Sequence, residues 1–204
     1  KSDPVDGFNT PVLFLIYNRQ ELTFETFEQI KKIKPKKLYV AADGPKKNKP
    51  NDYKNCEQTR QILLGIDWDC QVKTLFRESN LGCKIAVSSA INWFFENEEA
   101  GIIIEDDIIA DKDFFLFCEE MLTKYADDNR IMHIAGNNLQ FGWKKNEYSY
   151  YFSNYGSIWG WATWKRAWKL YDVEISKYPQ FIMDQALQSI FNNEDEIQFR
   201  KSNF

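Results

Sequence analysis

Between positions 11 and 17 the chain reads PVLFLIY, an unbroken apolar run of the kind produced by a strand buried on both faces. Phe24, Phe27, Ile30 and Ile33 then recur at helical spacing, and Pro35 stops that helix. Residues 37–42 (KLYVAA) predict a second strand, closed by the turn signal Asp43-Gly44-Pro45. A polar loop leads to a helix over about 52–65 carrying Ile62, Leu63 and Ile66, and residues 70–76 (CQVKTLF) alternate like a third strand. Asn80-Leu81-Gly82 opens a helix with Ile85, Ala86, Ala90, Ile91, Phe94 and Phe95 on its apolar face. Residues 101–104 (GIII) predict a short, fully apolar fourth strand that runs straight into Glu105-Asp106-Asp107. A helix over about 112–126 and a fifth strand near 130–135 follow.

Strands alternating with helices in this order predict an α/β fold, a mostly parallel central sheet with helices on both faces. Ligands of such sheets bind outside the carboxyl ends of the strands. The polar residues that close the strands are Asn18 and Arg19, Asp43 and Gly44, Arg77, and Glu105 to Asp107. All four groups are therefore expected on one edge, and their convergence carries more weight than any one of them. After about residue 136 the rhythm breaks. Residues 147–154 alternate like a strand, and 163–171 and 184–191 read as short helices. No stretch rich in Gly, Pro or Ser marks a boundary, so one domain over 1–204 is expected. Its end, soon after a helix and a charged stretch, leaves room for continuation past Phe204.

Composition narrows the partners. At 204 residues the chain can bury roughly 70% of the surface that its unfolded form exposes. The net charge of −4, with no long basic tract, argues against nucleic acid as a main partner. No apolar run reaches the roughly 18 residues that a membrane span needs. The chain begins with Lys, which reads as a processed or trimmed start. Cys56, Cys70, Cys83 and Cys118 form no CxxC, and His133 is the only histidine, so a zinc site is not expected. Cys83 and Cys118 read as small buried apolar residues, and the cysteine usage fits a reducing compartment. A cytoplasmic setting, free or peripheral to the inner membrane, follows as the expectation. Aromatics reach 16% and crowd into the last third, where they suit either a sugar-binding surface or an aromatic-rich core.

Three consecutive carboxylates after a buried strand repel one another and lose solvation. A divalent cation removes that cost, and hard Mg²⁺ or Mn²⁺ prefers carboxylate and phosphate oxygens. The competing reading is a solvated acidic turn whose charge suits the start of the next helix. Lys84, in the first turn of a predicted helix, could add charge to a phosphate site or stay a solvated surface residue. Asp43 could accept hydrogen bonds from a base or ribose, or simply form a turn before Gly44. Arg19 and Arg77 could pair with phosphates or with the acidic cluster. Spacing alone favours Asp184 as a helix cap over a catalytic base. His133 reads as a satisfied core residue.

These stretches resemble the GT-A nucleotide-diphospho-sugar transferases, in particular the branch of the N-acetylglucosaminyltransferase that starts complex N-glycans, with its bacterial relatives. The matching segments are PV…YNR at 11–19, AADG at 41–44, GCKIA at 82–86 and IIIEDDIIADKDFF at 102–115. The last is the most specific. GWATW at 160–164 is similar to an acceptor-side segment of bacterial members, and FIMD at 181–184 to the segment that ends in the catalytic aspartate. The chain departs from the family in having Ile182, Met183 and Gln185 around Asp184, where a Trp and a second acid are usual, and in having no histidine after His133.

The resemblance implies a GT-A, Rossmann-like fold and an inverting, metal-dependent transfer from a nucleotide-sugar donor such as a UDP-sugar. The acceptor would be a hydroxyl of a glycan or glycolipid in bacterial glycan assembly. It implies that Asp107 binds Mn²⁺ or Mg²⁺, Asp106 contacts the ribose and Glu105 the transferred sugar. Arg19 and Asp43 would belong to the nucleotide pocket, and Lys84 would lie near the diphosphate or sugar. Gly160 and Trp161 would line the donor and acceptor cleft, and Asp184 would deprotonate the acceptor hydroxyl. The alternative is a non-catalytic carbohydrate- or nucleotide-binding module on a degenerate GT-A scaffold. A two-metal phosphohydrolase fits less well, for want of His and further Asp clusters.

Overall fold

The computed structural model describes residues 7–138, 140–143, 147–183, 186–191 and 193–202. A six-stranded sheet is built from β1 (Val12–Ile16), β2 (Lys37–Ala42), β3 (Gln71–Phe76), β4 (Ala100–Glu105), β5 (Ile134–Ala135) and β6 (Trp161–Trp164), in spatial order β3-β2-β1-β4-β6-β5. β1 pairs in parallel with β2 and β4, and β2 in parallel with β3. β6 alone runs against its neighbours, antiparallel to both β4 and β5. The expected mostly parallel α/β sheet is thus what forms.

The helices that join the strands are α1 (Gln20–Ile33), α2 (Asp52–Arg60), α3 (Gly82–Asn97) and α4 (Lys112–Lys124), with a 3₁₀ turn at Gln61–Gly65 extending α2. Leu13, Leu15, Tyr39, Ala41, Ile103 and Trp161 point to one side of the sheet and pack with Ala90, Ile91, Phe94 and Phe95 of α3. The alternate residues Val12, Phe14, Leu38, Val40, Ile102 and Ile104 are also fully enclosed, on the side away from α3. Both faces being covered is why the strands read as continuous apolar runs. α1 ends where Lys34 enters the left-handed region (φ 50°) directly before Pro35, which cannot continue a helix. Asp111 starts α4, its carboxylate accepting the Phe114 N–H at 3.0 Å.

The chain divides into two compact units, one comprising the chain up to Glu147 with Gly156–Leu170, the other Tyr148–Tyr155 with Tyr171–Phe204. The first holds the sheet and α5 (Lys165–Trp168). The second holds α6 (Tyr178–Met183), α7 (Ala186–Ile190) and α8 (Glu194–Ser202). Inside it Leu187 and Ile197 are buried, and the Tyr155 hydroxyl donates to Glu196. Among the described residues no helix is long and apolar enough to cross a membrane.

Several expectations need correction. The helix expected over 163–171 is instead β6 followed by the single turn of α5. Trp161, Ala162, Thr163 and Trp164 are all buried between β4 and β5, and so short an enclosed run has no period to separate strand from helix. The strand expected at 130–135 shrinks to two residues, and 147–154 forms none. Phe24 is exposed, because the polar Thr23 and Thr26 take its place on the buried side of α1. Cys83 is exposed, while Cys118 is buried as expected. Arg166, on α5, anchors the 125–131 segment by donating to the carbonyls of Ala126, Tyr125, Asp128 and Ile131 at 2.9–3.0 Å, with its guanidinium over the Trp164 ring.

Arg166→Met keeps the aliphatic stem but removes its bonds to four carbonyls, of which, among the described residues, only those of Tyr125 and Asp128 retain a backbone N–H donor. Urea unfolding is expected to show a loss of about 2–4 kcal/mol; a change inside 0.5 kcal/mol would mean that the clamp contributes nothing.

Candidate functional site

The carboxyl ends of β1 to β4 open onto a cavity of about 330 Å³. Its floor is apolar, formed by Leu15, Ala41, Leu75, Ala86, Val87 and Ala90. Its rim is polar, with Tyr17, Asn18 and Arg19 after β1, Asp43 and Lys46 after β2, Arg77 after β3, and Glu105 and Asp106 at the end of β4. The sheet brings these residues together because parallel strands end on one edge. A cavity of this size with an apolar floor and a few converging polar groups has the form of a small-ligand site.

Asp106 is the most deeply enclosed of the three consecutive acids, at 3% exposure. It leaves the sheet beside α1, where the Thr26 hydroxyl donates to its carbonyl at 3.1 Å and the Thr23 hydroxyl lies 3.4 Å from its Oδ2. Arg19 closes an ion pair with it through Nη2 and Nε, and reaches Asp107 Oδ2 with Nη1 at 2.9 Å. Burial pushes the Asp106 carboxyl above its ordinary range against the pull of Arg19, and hydrogen bonding to Asp106 raises Arg19 in turn. Burial, then the charges of Asp107 and Asp106, also push Glu105 up. Three acids in sequence thus have three environments: Glu105 half-buried at the cavity, Asp106 sealed and paired, Asp107 exposed.

Asp43 has a different role from a free acceptor. Its Oδ1 takes the Gly44 and Leu81 N–H groups at 2.8 and 2.9 Å, and its Oδ2 takes Asn80 Nδ2 at 2.8 Å and the Gly82 N–H at 3.2 Å. The carboxylate caps the start of α3 and ties it to the end of β2, so the turn-forming reading accounts for its bonds. Gly44 is needed for the same approach, since a Cβ there would lie 2.4 Å from the backbone of Ser79.

Lys84 is exposed in the first turn of α3, off the cavity wall. Arg77 lines the cavity and donates to Ser89 Oγ at 3.1 Å. β6 runs antiparallel, so Gly160 and Trp161 start it at the same edge where β4 ends, but neither lines the cavity. Trp161 is in the core, stacked on His133 at 4.9 Å, and Gly160 (φ +70°) is packed against Ile108 and Phe114. His133 donates from Nε2 to the Ser157 carbonyl at 2.8 Å, and burial lowers its pKa, in keeping with a core residue. Asp184 lies outside the described residues.

Sequence reasoning missed Asp52, which is fully buried. It accepts from the Tyr17 hydroxyl and Asn18 Nδ2, each at 2.5 Å, and from the Lys46 N–H at 2.7 Å, with Lys49 Nζ at 3.5 Å. Burial alone would raise this carboxyl, but the hydrogen bonds from Tyr17, Lys46 and Asn18 outweigh it and hold the pKa down at about 2. Asp52 thereby fixes three residues of the cavity rim. Its only sequence signal was an acid at a predicted helix start, which surface helices share.

A hard cation is the group that the acidic run would take. Among the described residues no three His, Cys, Asp or Glu side chains converge as a protein-only cage. The donor set instead offers one exposed carboxylate, Asp107, beside a buried one already neutralised by a guanidinium. That set fits a cation shared with phosphate oxygens, as Mg²⁺ commonly is.

Asp52 is fully buried and off the cavity wall, so its removal reads out as shape and stability. Asp52→Asn is expected to lower unfolding free energy by about 2–3 kcal/mol, because a charged acceptor of three hydrogen bonds becomes a neutral one. The wild-type carboxyl is depressed in the folded state, so its contribution is complete above the unfolded value of 3.8 and fades as pH falls from there toward about 2. Unfolding curves of wild type and Asp52→Asn should therefore converge below pH 4; a gap independent of pH would remove the charge from the explanation.

No protein-family model matches the chain, and no curated protein does either. Among solved structures it is similar to 4-diphosphocytidyl-2C-methyl-D-erythritol synthase from Anaerococcus prevotii, at 9% sequence identity over 85% of this chain and 76% of that one, with a TM-score of 0.47.

Proposed function

We propose that the chain is a metal-dependent, inverting glycosyltransferase. It would move a sugar from a nucleotide-diphosphate donor, such as a UDP-sugar, to a hydroxyl of a glycan or glycolipid. The observation that carries the reading is the meeting of Glu105, Asp106, Arg19, Lys46 and Arg77 around one apolar-floored cavity at the carboxyl edge of a parallel sheet. The apolar floor suits a base or sugar face, and the three cationic side chains at the rim suit a diphosphate. The acidic run after β4, with the 102–115 segment that resembles the transferases, supplies the rest.

The roles divide by environment. Asp107, the exposed acid, would hold Mg²⁺ or Mn²⁺ together with the diphosphate. When bound, the cation would neutralise the charge that develops on the departing nucleoside diphosphate. Glu105, half-buried at the cavity, would accept hydrogen bonds from the transferred sugar. Asp106 would act through Arg19, which it orients, because its carboxylate is enclosed and already paired. Asp43 would shape the pocket by tying the start of α3 to β2 rather than by touching the base. Asp184 remains the proposed base for the acceptor hydroxyl, and inversion needs one such base opposite the leaving group.

Calorimetric titration of UDP tests the donor site. Binding is expected to be roughly tenfold or more tighter with Mn²⁺ than in EDTA, a typical size for coupled ligands. Asp107→Ala should lose that difference while keeping its stability within about 0.5 kcal/mol, as exposed substitutions usually do. A folded wild-type chain that gives no heat with UDP in either condition would remove the reading.

A further inference from the structure

Arg19 holds two carboxylates in unequal ways. Its Nη2 and Nε engage Asp106, whose side chain is 4% exposed, so that pair is sealed on the protein side. Its Nη1 engages Asp107, whose side chain is 41% exposed, and Arg19 itself is 44% exposed and lines the cavity. Breaking the first pair would strand a buried charge, which is costly. Breaking the second exchanges a solvent-exposed ion pair, which costs little. One end of the guanidinium is therefore anchored and the other is exchangeable, and the exchangeable end sits on the carboxylate that a cation would take.

From this asymmetry we infer that Arg19 is the resident counter-cation of the site, so that a divalent cation and a diphosphate bind together and each binds poorly alone. The inference rests on the donor-site reading above. A cation arriving alone must take Asp107 from a guanidinium already neutralising it, and it leaves Nη1 with no anion. A diphosphate arriving alone meets Arg19 already turned toward Asp107, with Glu105 close by. When both arrive, Asp107 passes to the cation and Nη1 passes to a phosphate oxygen, and each charge keeps a partner. Arg19 need not leave Asp106, so no buried charge is exposed at any point. Coupling of this kind is reciprocal: whatever factor the cation adds to diphosphate affinity, the diphosphate adds to cation affinity.

The diagnostic measurement uses each ligand by itself on the full chain, by calorimetry. Arg19→Gln is expected to bind Mn²⁺ alone severalfold more tightly than wild type, because Asp107 loses its competitor. The same variant should bind UDP alone, in EDTA, more weakly, because its guanidinium is gone. A purely structural Arg19 would move both affinities down together. Arg19→Lys guards against misfolding: its single ammonium can pair with Asp106 but cannot bridge both acids, so Mn²⁺ alone should again bind more tightly, by a smaller factor. Mn²⁺ affinity unchanged or weakened in both variants, with wild type still binding UDP in the presence of Mn²⁺, overturns the counter-cation role and leaves the donor site standing. Absence of UDP binding to wild type overturns both.

Discussion

A carboxylate stays ionised at the buried end of an apolar strand only where an opposite charge or several hydrogen bonds replace its lost solvation, and Asp106 imposes that condition on the whole edge of the sheet. β4 delivers it into the interior because Ile102, Ile103 and Ile104 are fully enclosed just before it. Solvation lost there is recovered from the Arg19 guanidinium and the Tyr17 backbone N–H, while the Thr26 hydroxyl donates to the Asp106 main-chain carbonyl. The two threonines on the buried side of α1 tie the adjoining backbone, Thr23 to the Arg19 carbonyl and Thr26 to that of Asp106, and Phe24 turns outward. The same condition explains why the residue after Tyr17-Asn18 is an arginine, since only a planar guanidinium reaches Asp106 and Asp107 together.

The same logic recurs on the other side of the cavity. Asp43 and Asp52 spend their oxygens on backbone N–H groups and on side chains of the protein, and both act as fasteners. Asp43 joins the β2 exit to the α3 start. Asp52 joins the β1 exit to the loop after β2. With the Arg19–Asp106 pair, these two fasteners hold the four chain segments that leave the sheet at one edge at fixed spacing around an apolar floor. Loops without such fasteners would keep their entropy and collapse onto the floor or drift from it. A preformed cavity lowers the ordering that a ligand must otherwise impose.

Much of the first 125 residues was legible because both-sided burial leaves continuous apolar runs and helices leave a period of 3.6, and the strand ends then followed from the parallel connection rule. The meeting of Arg19, Asp43, Glu105 and Asp106 at one edge was legible for the same reason. What each does there was less so. The bonds of Asp43 depend on the distance between two loops, which no local pattern encodes, and Asp52 looked like any acid opening a surface helix. Trp161 suggested a sugar-facing aromatic but stacks on His133 in the core, because the four residues of β6 are enclosed on all sides. Beyond residue 136 short segments dominate, and a buried strand of four residues carries no periodicity to read.

The distribution of charge around the cavity bears on why the proposed chemistry would need two ligands at once. The edge holds three consecutive acids and one arginine in contact with two of them, so the acidic run is left under-neutralised. An anion alone would add to that excess, and a cation alone would contend with the arginine already present. Burial removes the water that would otherwise screen these charges, so the imbalance is felt more strongly at Glu105 and Asp106 than at a surface acid. A divalent cation offsets the excess of the acidic run, and a diphosphate sharing that cation meets Arg19, Lys46 and Arg77 at the rim, which is the charge pattern of a metal-bound nucleoside diphosphate. A neutral sugar by itself would leave the imbalance as it is. Charge balance thus supports a nucleotide-linked donor, rather than a simple carbohydrate, as the ligand proposed for this edge of the sheet.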